Sequence, residues 1–579
     1  MPFFACLTLH PAFKISLSFF HPAMSSSSLS PAPMDPNERR LLALEEIDNA
    51  KFGWYHIRAV AIAGIGFFTD AYDIFAINVV SVCLGYVYYR DVTHKATLPS
   101  HLDEALKVGT SAGAVFGQLF FGWLSDRYGR RKIYGFELII IIFATVATAL
   151  SGGGPAFHAV GAIIFWRLLL GIGIGGDYPQ SAIITSEFAS TRHRGRMMAA
   201  VFSMQGLGIV AGAIVFLISV LGFKHSIKAD ELLYPFPTSG AAGNVGLPSV
   251  DKIWRLVIGI GAIPAVIALY FRLTIPETPR YTIDIEKNIE AGKKTTRDFL
   301  NGIGHADTEA VTLEDHVDEI PSASTRDFFR HFMQWKHGKV LLGTAFSWFF
   351  LDIAFYGLGL NNSIVLQAIG YAGQHDVYLN LRNIAVGNII LNLVGSLPGY
   401  WVSVAFIDTI GRKPIQIGGF AILTTLFLVL GCAYWPLHDQ ESKAGFIALF
   451  VMAQFFFNFG PNTTTFVVPG EVFPTRYRST AHGISAASGK TGAIMAQVIF
   501  SPLANRGGKN QWLNHILQIF AAFMFLGFLS SFLIPETNGK TLEELSGENQ
   551  RRFIPMERQA DSPASSGSIA QLVDLPKVS

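Results

Sequence analysis

The chain has 579 residues, of which 50% are hydrophobic and only 15% are charged, and its formal net charge is +2. Soluble domains average about 25% charged residues, so this composition argues against a soluble fold, and the small net charge gives no reason to expect nucleic acid as a partner. Three cysteines, Cys6, Cys83 and Cys432, cannot form a disulfide framework. No cluster of His and Cys has the spacing of metal ligands, so we expect no metal and no cofactor.

Twelve apolar segments are predicted to cross a lipid bilayer as helices, because each approaches the ~20 residues that the hydrocarbon core requires. They form two sets of six on either side of a charged segment that could contain amphipathic helices. The sequence therefore predicts an all-α membrane protein with twelve transmembrane helices in two six-helix halves. The predicted spans are 58–86, 106–124, 133–151, 160–187, 197–222, 253–275, 340–371, 382–407, 414–435, 444–470, 480–503 and 512–534.

These spans divide the chain into two halves, 51–275 and 340–545, joined by a central loop, 276–339. The terminal segments 1–50 and 546–579 contain Ser- and Pro-rich stretches, and the first also contains a short apolar stretch, 13–20. Such composition cannot bury enough apolar surface to fold alone. We therefore expect two largely disordered tails.

Short charged motifs recur at equivalent positions in the two sets of spans. Asp126-Arg-Tyr-Gly-Arg-Arg-Lys132 follows the second span and Asp408-Thr-Ile-Gly-Arg-Lys413 follows the eighth. A Glu followed by Arg residues comes after the fourth span and again after the tenth, and a Pro-Glu-Thr motif comes after the sixth and the twelfth. This repetition indicates a duplicated six-helix unit, as in transporters with two related halves.

The positions of Lys and Arg predict the orientation of the chain in the membrane. The basic loops fall on one side, which the positive-inside rule assigns to the cytoplasm together with both termini and the central loop. These charges could serve topology alone, but topology does not require acidic partners. We therefore expect an inter-helix latch of Asp126, Arg130, Glu187 and Arg196 at the cytoplasmic face, and a gate that also includes Glu471 and Arg478.

The fourth span contains the sequence GIGIGGDYPQSAIITSE, with Asp177 roughly 15 Å along the helix axis from both Arg167 and Glu187. That depth is near the middle of a bilayer core about 30 Å thick, where an ionisable group is a functional-site hypothesis by default. The glycines match the spacing GxGxxG of dinucleotide-binding loops, but such a loop follows a strand in a βαβ unit, whereas these glycines lie inside a long apolar predicted helix. They favour close packing of helices instead.

Further polar residues are predicted at the same depth in both halves. Trp348, Asp352 and Tyr356 share one helix face, and Asp70 and Asp73 share another. A lone Lys among acids at the midplane predicts a carrier that binds a small anion and exchanges protons. Each Asp could alternatively form a structural ion pair, and Trp348 could simply pack between helices. The midplane set is Asp70, Asp177, Gln205, Asp352, Asn462 and Lys490, with Tyr178 beside Asp177.

Several stretches resemble a known family. GWLSDRYGRRK and the PETPR and PET motifs resemble the major facilitator superfamily and its sugar-porter-like branch. GGDYPQSAIITSE is similar to the hallmark of the fungal and plant high-affinity phosphate:proton symporters, and other stretches resemble the same family. These are FFTDAYDIF (67–75), SWFFLDIAFYGLGLN (347–361), FFFNFGPNTTTFVVPGEVFPTRYRST (455–480) and SAASGKTGA (485–493).

This resemblance implies proton-coupled uptake of inorganic phosphate across the plasma membrane by alternating access, and no enzymatic activity. It implies proton transfer by Asp70 and Asp177, and it implies that Asp352 both contacts phosphate and transfers protons. Asp73 is added to the proton-transferring residues because it shares a helix face with Asp70. A glycerophosphodiester or sugar symporter remains an alternative, as does a phosphate sensor of transporter ancestry. The implied phosphate contacts are Tyr178, Gln205, Trp348, Asp352, Tyr356, Asn462 and Lys490.

Overall fold

The computed structural model is almost entirely helical, and its described part contains no strand beyond one isolated bridge between Gly154 and Phe157. The predicted disorder of the two tails concerns mainly 1–35 and 548–579, which lie outside the described residues. The structure describes residues 36–91, 96–154, 156–236, 246–300, 323–368, 371–372, 376–438, 443–504, 506–507 and 511–547.

Six long helices form the first half of the molecule. Two of them are interrupted: the first consists of Trp54–Phe75 and Ile77–Tyr88, and the third of Arg130–Ile133 and Phe136–Ala149. In chain order they are α1 (Trp54–Tyr88), α2 (Ser100–Tyr128), α3 (Arg130–Ala149), α4 (Ala159–Phe188), α5 (Arg194–Gly222) and α6 (Pro248–Arg272).

Six more helices form the second half. The eighth has a π-helical turn at Asn392–Ser396, the tenth breaks between Asn458 and Pro461, and the eleventh continues through Ala496–Phe500 and Ser501–Ala504. They are α7 (Trp335–Gly359), α8 (Val377–Ile410), α9 (Arg412–Cys432), α10 (Ala444–Val472), α11 (Arg478–Met495) and α12 (Leu513–Leu533).

The prediction of twelve long helices is confirmed, since each predicted span overlaps one of them. Within the described residues, 10 helices are long and apolar enough to cross a membrane by length and composition. The remaining two, α2 and α11, are more polar. They pack against each other, and α2 also packs against α4 while α11 packs against α7. The two polar helices therefore lie where the halves meet.

Shorter helices cover the ends of the bundle. The predicted central loop contains the amphipathic helices Ile289–Leu300 and Thr325–Met333. We call the end of the bundle that carries this loop the loop face. The predicted N-terminal tail also contains a helix, Pro36–Asp48, because Leu44 packs on Ile283 and Ile289. The other short helices are Lys224–Leu233, Pro279–Asp284, Asn362–Ala368, Tyr434–His438 and Leu542–Ser546.

A cluster around Asp48 ties these short helices together at the loop face. Asp48 Oδ1 accepts hydrogen bonds from Arg194 and Arg280, both at 2.8 Å. Arg280 Nε also donates to Glu543 at 2.9 Å. Burial alone would raise the pKa of Glu543, but the Arg280 guanidinium outweighs it and lowers this pKa to about 2. Glu543 therefore stays ionised, and the cluster joins the N-terminal helix to the start of α5 and to the C-terminal helix.

The glycines of the fourth span pack against neighbouring backbones, as the sequence predicted. A Cβ atom added at Gly171 would collide with the Thr110 carbonyl oxygen, and one at Gly175 would collide with the Ala114 carbonyl oxygen. Both carbonyls belong to α2. The absence of side chains thus lets α2 and α4 approach closely, as small residues do between membrane helices.

We predict that Gly171→Ala lowers the midpoint of thermal unfolding by several degrees, because backbone cannot yield to the new methyl group. Gly161→Ala in the same helix is the matched control, since a Cβ there meets nothing within 4 Å. It should leave the midpoint unchanged or raise it slightly. Equal midpoints for the two purified variants would contradict the assigned packing of α2 on α4.

Candidate functional site

The buried cation Lys490 lies between the two halves and, among the described residues, pairs with one carboxylate, that of Asp352. Its Nζ donates to Asp352 Oδ2 at 3.1 Å and to the Tyr356 hydroxyl at 3.0 Å. The ammonium also lies over two aromatic rings, 4.9 Å from the Tyr178 centroid and 4.3 Å from that of Tyr356. Because Tyr178 belongs to α4 and Lys490 to α11, this site joins the two halves.

The local sequence explains how α7 presents its side chains to Lys490. Trp348, Asp352 and Tyr356 recur every four residues and so project from one face of α7. Gly489 faces them, and a Cβ there would lie 2.9 Å from an Asp352 carboxylate oxygen. The small residue beside Lys490 therefore allows α11 to lie close enough for the ion pair to form.

Two more predicted contacts complete the site. Gln205 Nε2 donates to the Tyr178 hydroxyl at 3.4 Å, so α5 contributes an amide directly to the cluster. Asn462 on α10 instead donates to the Tyr400 hydroxyl at 3.0 Å and to Asn458 at 2.7 Å. Tyr400 and Asn458 were missed by the sequence analysis. Asn458 precedes Asn462 by four residues, and this spacing could have identified it.

Aromatic side chains close the site towards the loop face. We name Phe67, Phe202 and Phe466 the aromatic floor: the Phe466 centroid lies 5.1 Å from that of Phe67 and 4.6 Å from that of Phe202. Phe67 and Phe202 come from the first half and Phe466 from the second. The floor therefore depends on the halves being in contact below Lys490.

The opposite side of the site is closed as well. The ring of Phe75 on α1 stacks on that of Tyr356 with centroids 5.9 Å apart. One turn further out, Asn78 Nδ2 donates to the Gly359 carbonyl at 2.6 Å. Both contacts join the first half to α7. Contacts between the halves thus lie on both sides of the site, with the aromatic floor on one side and these two contacts on the other.

Asp177 forms an ion pair that the sequence analysis considered only as an alternative. Its Oδ2 accepts a hydrogen bond from Arg272 Nη2 at 2.6 Å, and its Oδ1 accepts one from Ser181 at 2.5 Å. Arg272 also donates to Glu137 at 2.7 Å. Neither Arg272 nor Glu137 was predicted. Arg272 lies at the end of α6. A positive charge at that place is also what the membrane orientation of the helix would explain by itself.

Asp70 differs from Asp177, because neither of its carboxylate oxygens has a hydrogen-bond partner among the described residues although both are buried. One helical turn before it, Gly66 lies against the pair formed by Arg272 and Asp177. Asp73 accepts a hydrogen bond from Thr145 at 2.9 Å. A buried carboxylate is costly in its ionised form without partners, so Asp70 has the environment of a group that binds a proton.

Four of the predicted gate residues form a buried cluster at the loop face. Glu187 Oε1 accepts hydrogen bonds from Arg130 at 3.3 Å and Arg478 at 3.0 Å. Asp126 accepts from the backbone N–H groups of Ser479 at 3.2 Å and Thr480 at 2.7 Å. The acids belong to the first half and residues 478–480 to the start of α11. These bonds therefore hold the halves together at the loop face.

The second half repeats this arrangement with other residues. Arg412 donates to Glu471 and contacts Asp408, both at 2.9 Å, and Asp408 accepts from the backbone N–H of Arg196 at 3.0 Å. The expected latch is corrected in one member: the Arg196 side chain is 44% exposed and lies 4.0 Å from Asp408, outside the Glu187 cluster. Asp408 and Arg412 were missed, although their motif had been matched to that of Asp126 and Arg130.

Metal binding has no structural basis in the described ranges, where no three His, Cys, Asp or Glu side chains are grouped closely enough to hold an ion.

We predict that Glu187→Gln opens the loop face, because it removes the charge that holds two buried guanidiniums. Breaking a buried ion pair costs about 3–5 kcal/mol. In a background without native cysteines, Ser479→Cys should then react at least about tenfold faster with an impermeant thiol reagent applied from that side. Arg196→Gln is the control and should change labelling little, since exposed pairs contribute at most about 1 kcal/mol. Equal labelling rates for the two variants would contradict the assigned gate.

Comparison with known proteins agrees with this architecture. Residues 59–548 match the family model described as "Sugar (and other) transporter". The chain is 52% identical over 556 residues to the repressible high-affinity phosphate permease of Neurospora crassa, covering 92% of this chain and 95% of that protein. It is 51% identical over 533 residues to the inorganic phosphate transporter PHO84 of Saccharomyces cerevisiae, covering 88% of each. Inorganic phosphate transporter 1-2 of rice is 41% identical over 524 residues, which cover 88% of this chain and 97% of that one.

Among solved structures, the proton:xylose symporter XylE bound to 6-bromo-6-deoxy-D-glucose superposes with a TM-score of 0.63 and 19% identity. The match covers 86% of this chain and 99% of XylE, and at this identity it shows the fold alone. Transporters and permeases, not enzymes, are thus the relatives of this protein. The chain belongs to the sugar (and other) transporter family of the major facilitator superfamily, in the group that includes these fungal and plant phosphate transporters.

Proposed function

We propose that this protein is a secondary active transporter that takes up inorganic phosphate together with protons by alternating access. The observation that carries the proposal is the position of Lys490, a buried cation between the two halves with one carboxylate and two tyrosines around it. The names of its relatives, a phosphate permease and inorganic phosphate transporters, support the same substrate.

The groups around Lys490 suit a protonated phosphate anion. An ammonium and tyrosine hydroxyls can donate hydrogen bonds to the phosphate oxygens. Asp352 is an acceptor, and it can accept a hydrogen bond from a P–OH group. This combination favours phosphate over sulfate, which carries no proton near neutral pH. The proposed contacts are Tyr178, Gln205, Trp348, Asp352, Tyr356, Asn462 and Lys490.

Proton coupling is assigned to the carboxylates on α1 and α4, with Asp352 as the link to substrate. Asp70 has no hydrogen-bond partner in the described structure, whereas Asp177 is paired with Arg272. A proton on Asp177 would weaken that pair and free the guanidinium. Asp70 lies one turn from the point where the pair contacts α1. We therefore propose that Asp70 and Asp177 form one proton path, with Asp73 beside it.

Release of substrate requires the loop-face contacts to separate. The gate members Asp126, Arg130, Glu187 and Arg478, their counterparts around Glu471, and the aromatic floor would open together. Such a shift requires that the ligands bind the two states with different free energies. This difference comes from loss of the Lys490 contacts to phosphate and from rearrangement of the protonated acids.

The proposed location is the plasma membrane, with both termini and the loop face in the cytoplasm. The Lys and Arg residues concentrated at that face support this orientation through the positive-inside rule. The proposed domain division keeps the halves 51–275 and 340–545, the central loop between them, and cytoplasmic tails.

The decisive test is uptake of radiolabelled phosphate by proteoliposomes with and without an imposed inward proton gradient. We expect accumulation only with the gradient, and loss of phosphate binding in Lys490→Ala with normal insertion. The control is Lys293→Ala, at a partly exposed lysine at the loop face that pairs with Glu290. If the proteoliposomes took up xylose or a glycerophosphodiester but no phosphate, that solute would replace phosphate as the proposed substrate. Phosphate binding without uptake would favour a sensor.

We predict that Asp70→Asn keeps phosphate binding but abolishes gradient-driven accumulation. The amide retains the shape of the carboxyl group and cannot exchange a proton. Phosphate exchange at equal concentrations on both sides should survive, because it needs no net proton transfer. Asp352→Asn is the comparison variant and should impair binding and accumulation together. Normal accumulation by Asp70→Asn would remove Asp70 from the proton path.

A further inference from the structure

A narrow crevice lies between Lys490 and the face opposite the loop face. Its lining includes Lys107 and Thr110 on α2, Arg167 on α4, and Tyr356 and Lys490 from the second half. Lys107 lies seven residues into α2 from that face, and Lys490 lies at the centre. The crevice therefore follows the line along which a solute would travel from outside to the central site.

Arg167 supplies a buried positive charge to this crevice. Its side chain is 3% exposed. In the structure as described, its guanidinium donates to two backbone carbonyls, that of Leu106 at 3.0 Å and that of Asp73 at 3.4 Å. The Asp73 carboxylate acts on it electrostatically but is hydrogen-bonded to Thr145. A buried guanidinium held by neutral acceptors retains the capacity to bind an anion.

Thr110 and Lys107 add donors on the same side of the crevice. The Thr110 hydroxyl is buried and has no hydrogen-bond partner among the described residues. Lys107 Nζ donates to Asp103 at 2.6 Å and to Asn361 at 2.8 Å. Asn361 belongs to the second half. Separation of the halves at this face would therefore remove one of the two partners of Lys107 and expose its ammonium.

We propose that Lys107, Thr110 and Arg167 form an outer phosphate site, occupied before the anion moves inward to Lys490. The inference rests on the proposed function for the identity of the anion. Cations along a narrow, low-dielectric path focus the electric field and raise the local concentration of an anion. The outer site thus acts on capture of phosphate from outside, while the conformational cycle depends on the central site and the gate.

This role predicts a specific kinetic signature in proteoliposomes with the outer face exposed. Lys107→Gln should raise the KM for phosphate about tenfold and leave kcat within about twofold, because it removes a charged donor. Thr110→Val should raise KM about fivefold with kcat unchanged, since it removes one neutral hydroxyl of nearly the same shape. Efflux measured from the loop face should show the wild-type KM in both variants.

Arg255→Gln is the matched control. Arg255 also lies seven residues into a helix that begins at the outer face, and it pairs with Asp251 at i−4 with a distance of 2.9 Å, as Lys107 does with Asp103. Arg255 does not line the crevice, so the KM of the Arg255→Gln variant for phosphate should equal that of the wild type.

Three results would overturn the outer site. The first is a wild-type KM in Thr110→Val. The second is an equal change of KM in Lys107→Gln and in the control Arg255→Gln. The third is a lower kcat in Lys107→Gln with an unchanged KM. The last would assign Lys107 to closure through Asn361 instead. Failure of the proposed function is distinguishable, because the wild-type protein itself would then take up no phosphate.

Discussion

The buried ion pair between Lys490 and Asp352 is the constraint on which the rest of the site depends. Removing an ammonium from water costs several kcal/mol, and only a well-placed counter-charge with additional hydrogen bonds offsets this. Asp352, Tyr356 and the face of Tyr178 supply these contacts. Because Tyr178 comes from the other half of the molecule, the cation also links the two halves. A bound anion would take over the neutralisation of Lys490 and leave Asp352 free to interact with a proton.

The closure of the loop face combines two kinds of contact. Buried ion pairs such as that of Glu187 with Arg478 define which surfaces meet, because an unpaired charge there would be very costly. The aromatic floor excludes water below the site without such directional bonds. Internal repetition gives each half an acidic cluster at the end of its own helices that binds the start of a helix in the other half. The proposed gate therefore consists of two similar clusters, each of which joins the two halves.

The proposed proton path and the proposed phosphate site share a boundary on α4. Asp177 and Tyr178 are consecutive residues, so their side chains project in different directions from the helix. The carboxylate faces Arg272 and Glu137 within the first half, whereas the tyrosine ring faces Lys490 at the junction. The two groups are therefore neighbours on one helix, each facing a different set of charges. This adjacency supports the proposed coupling of proton binding to phosphate binding.

The sequence by itself determined the twelve spans, because hydrophobic runs are long. It also predicted the repeated halves and most residues of the proposed central site, because intramembrane charges are rare. It located Lys490 and Asp352 from their depth and from helical periodicity alone. It did not determine the pairing of Asp177 with Arg272, the isolation of Asp70, or the position of Arg196 outside the Glu187 cluster. Those depend on which helices become neighbours and on which faces they present. Contacts between residues about a hundred positions apart follow from tertiary packing, which local sequence patterns do not encode.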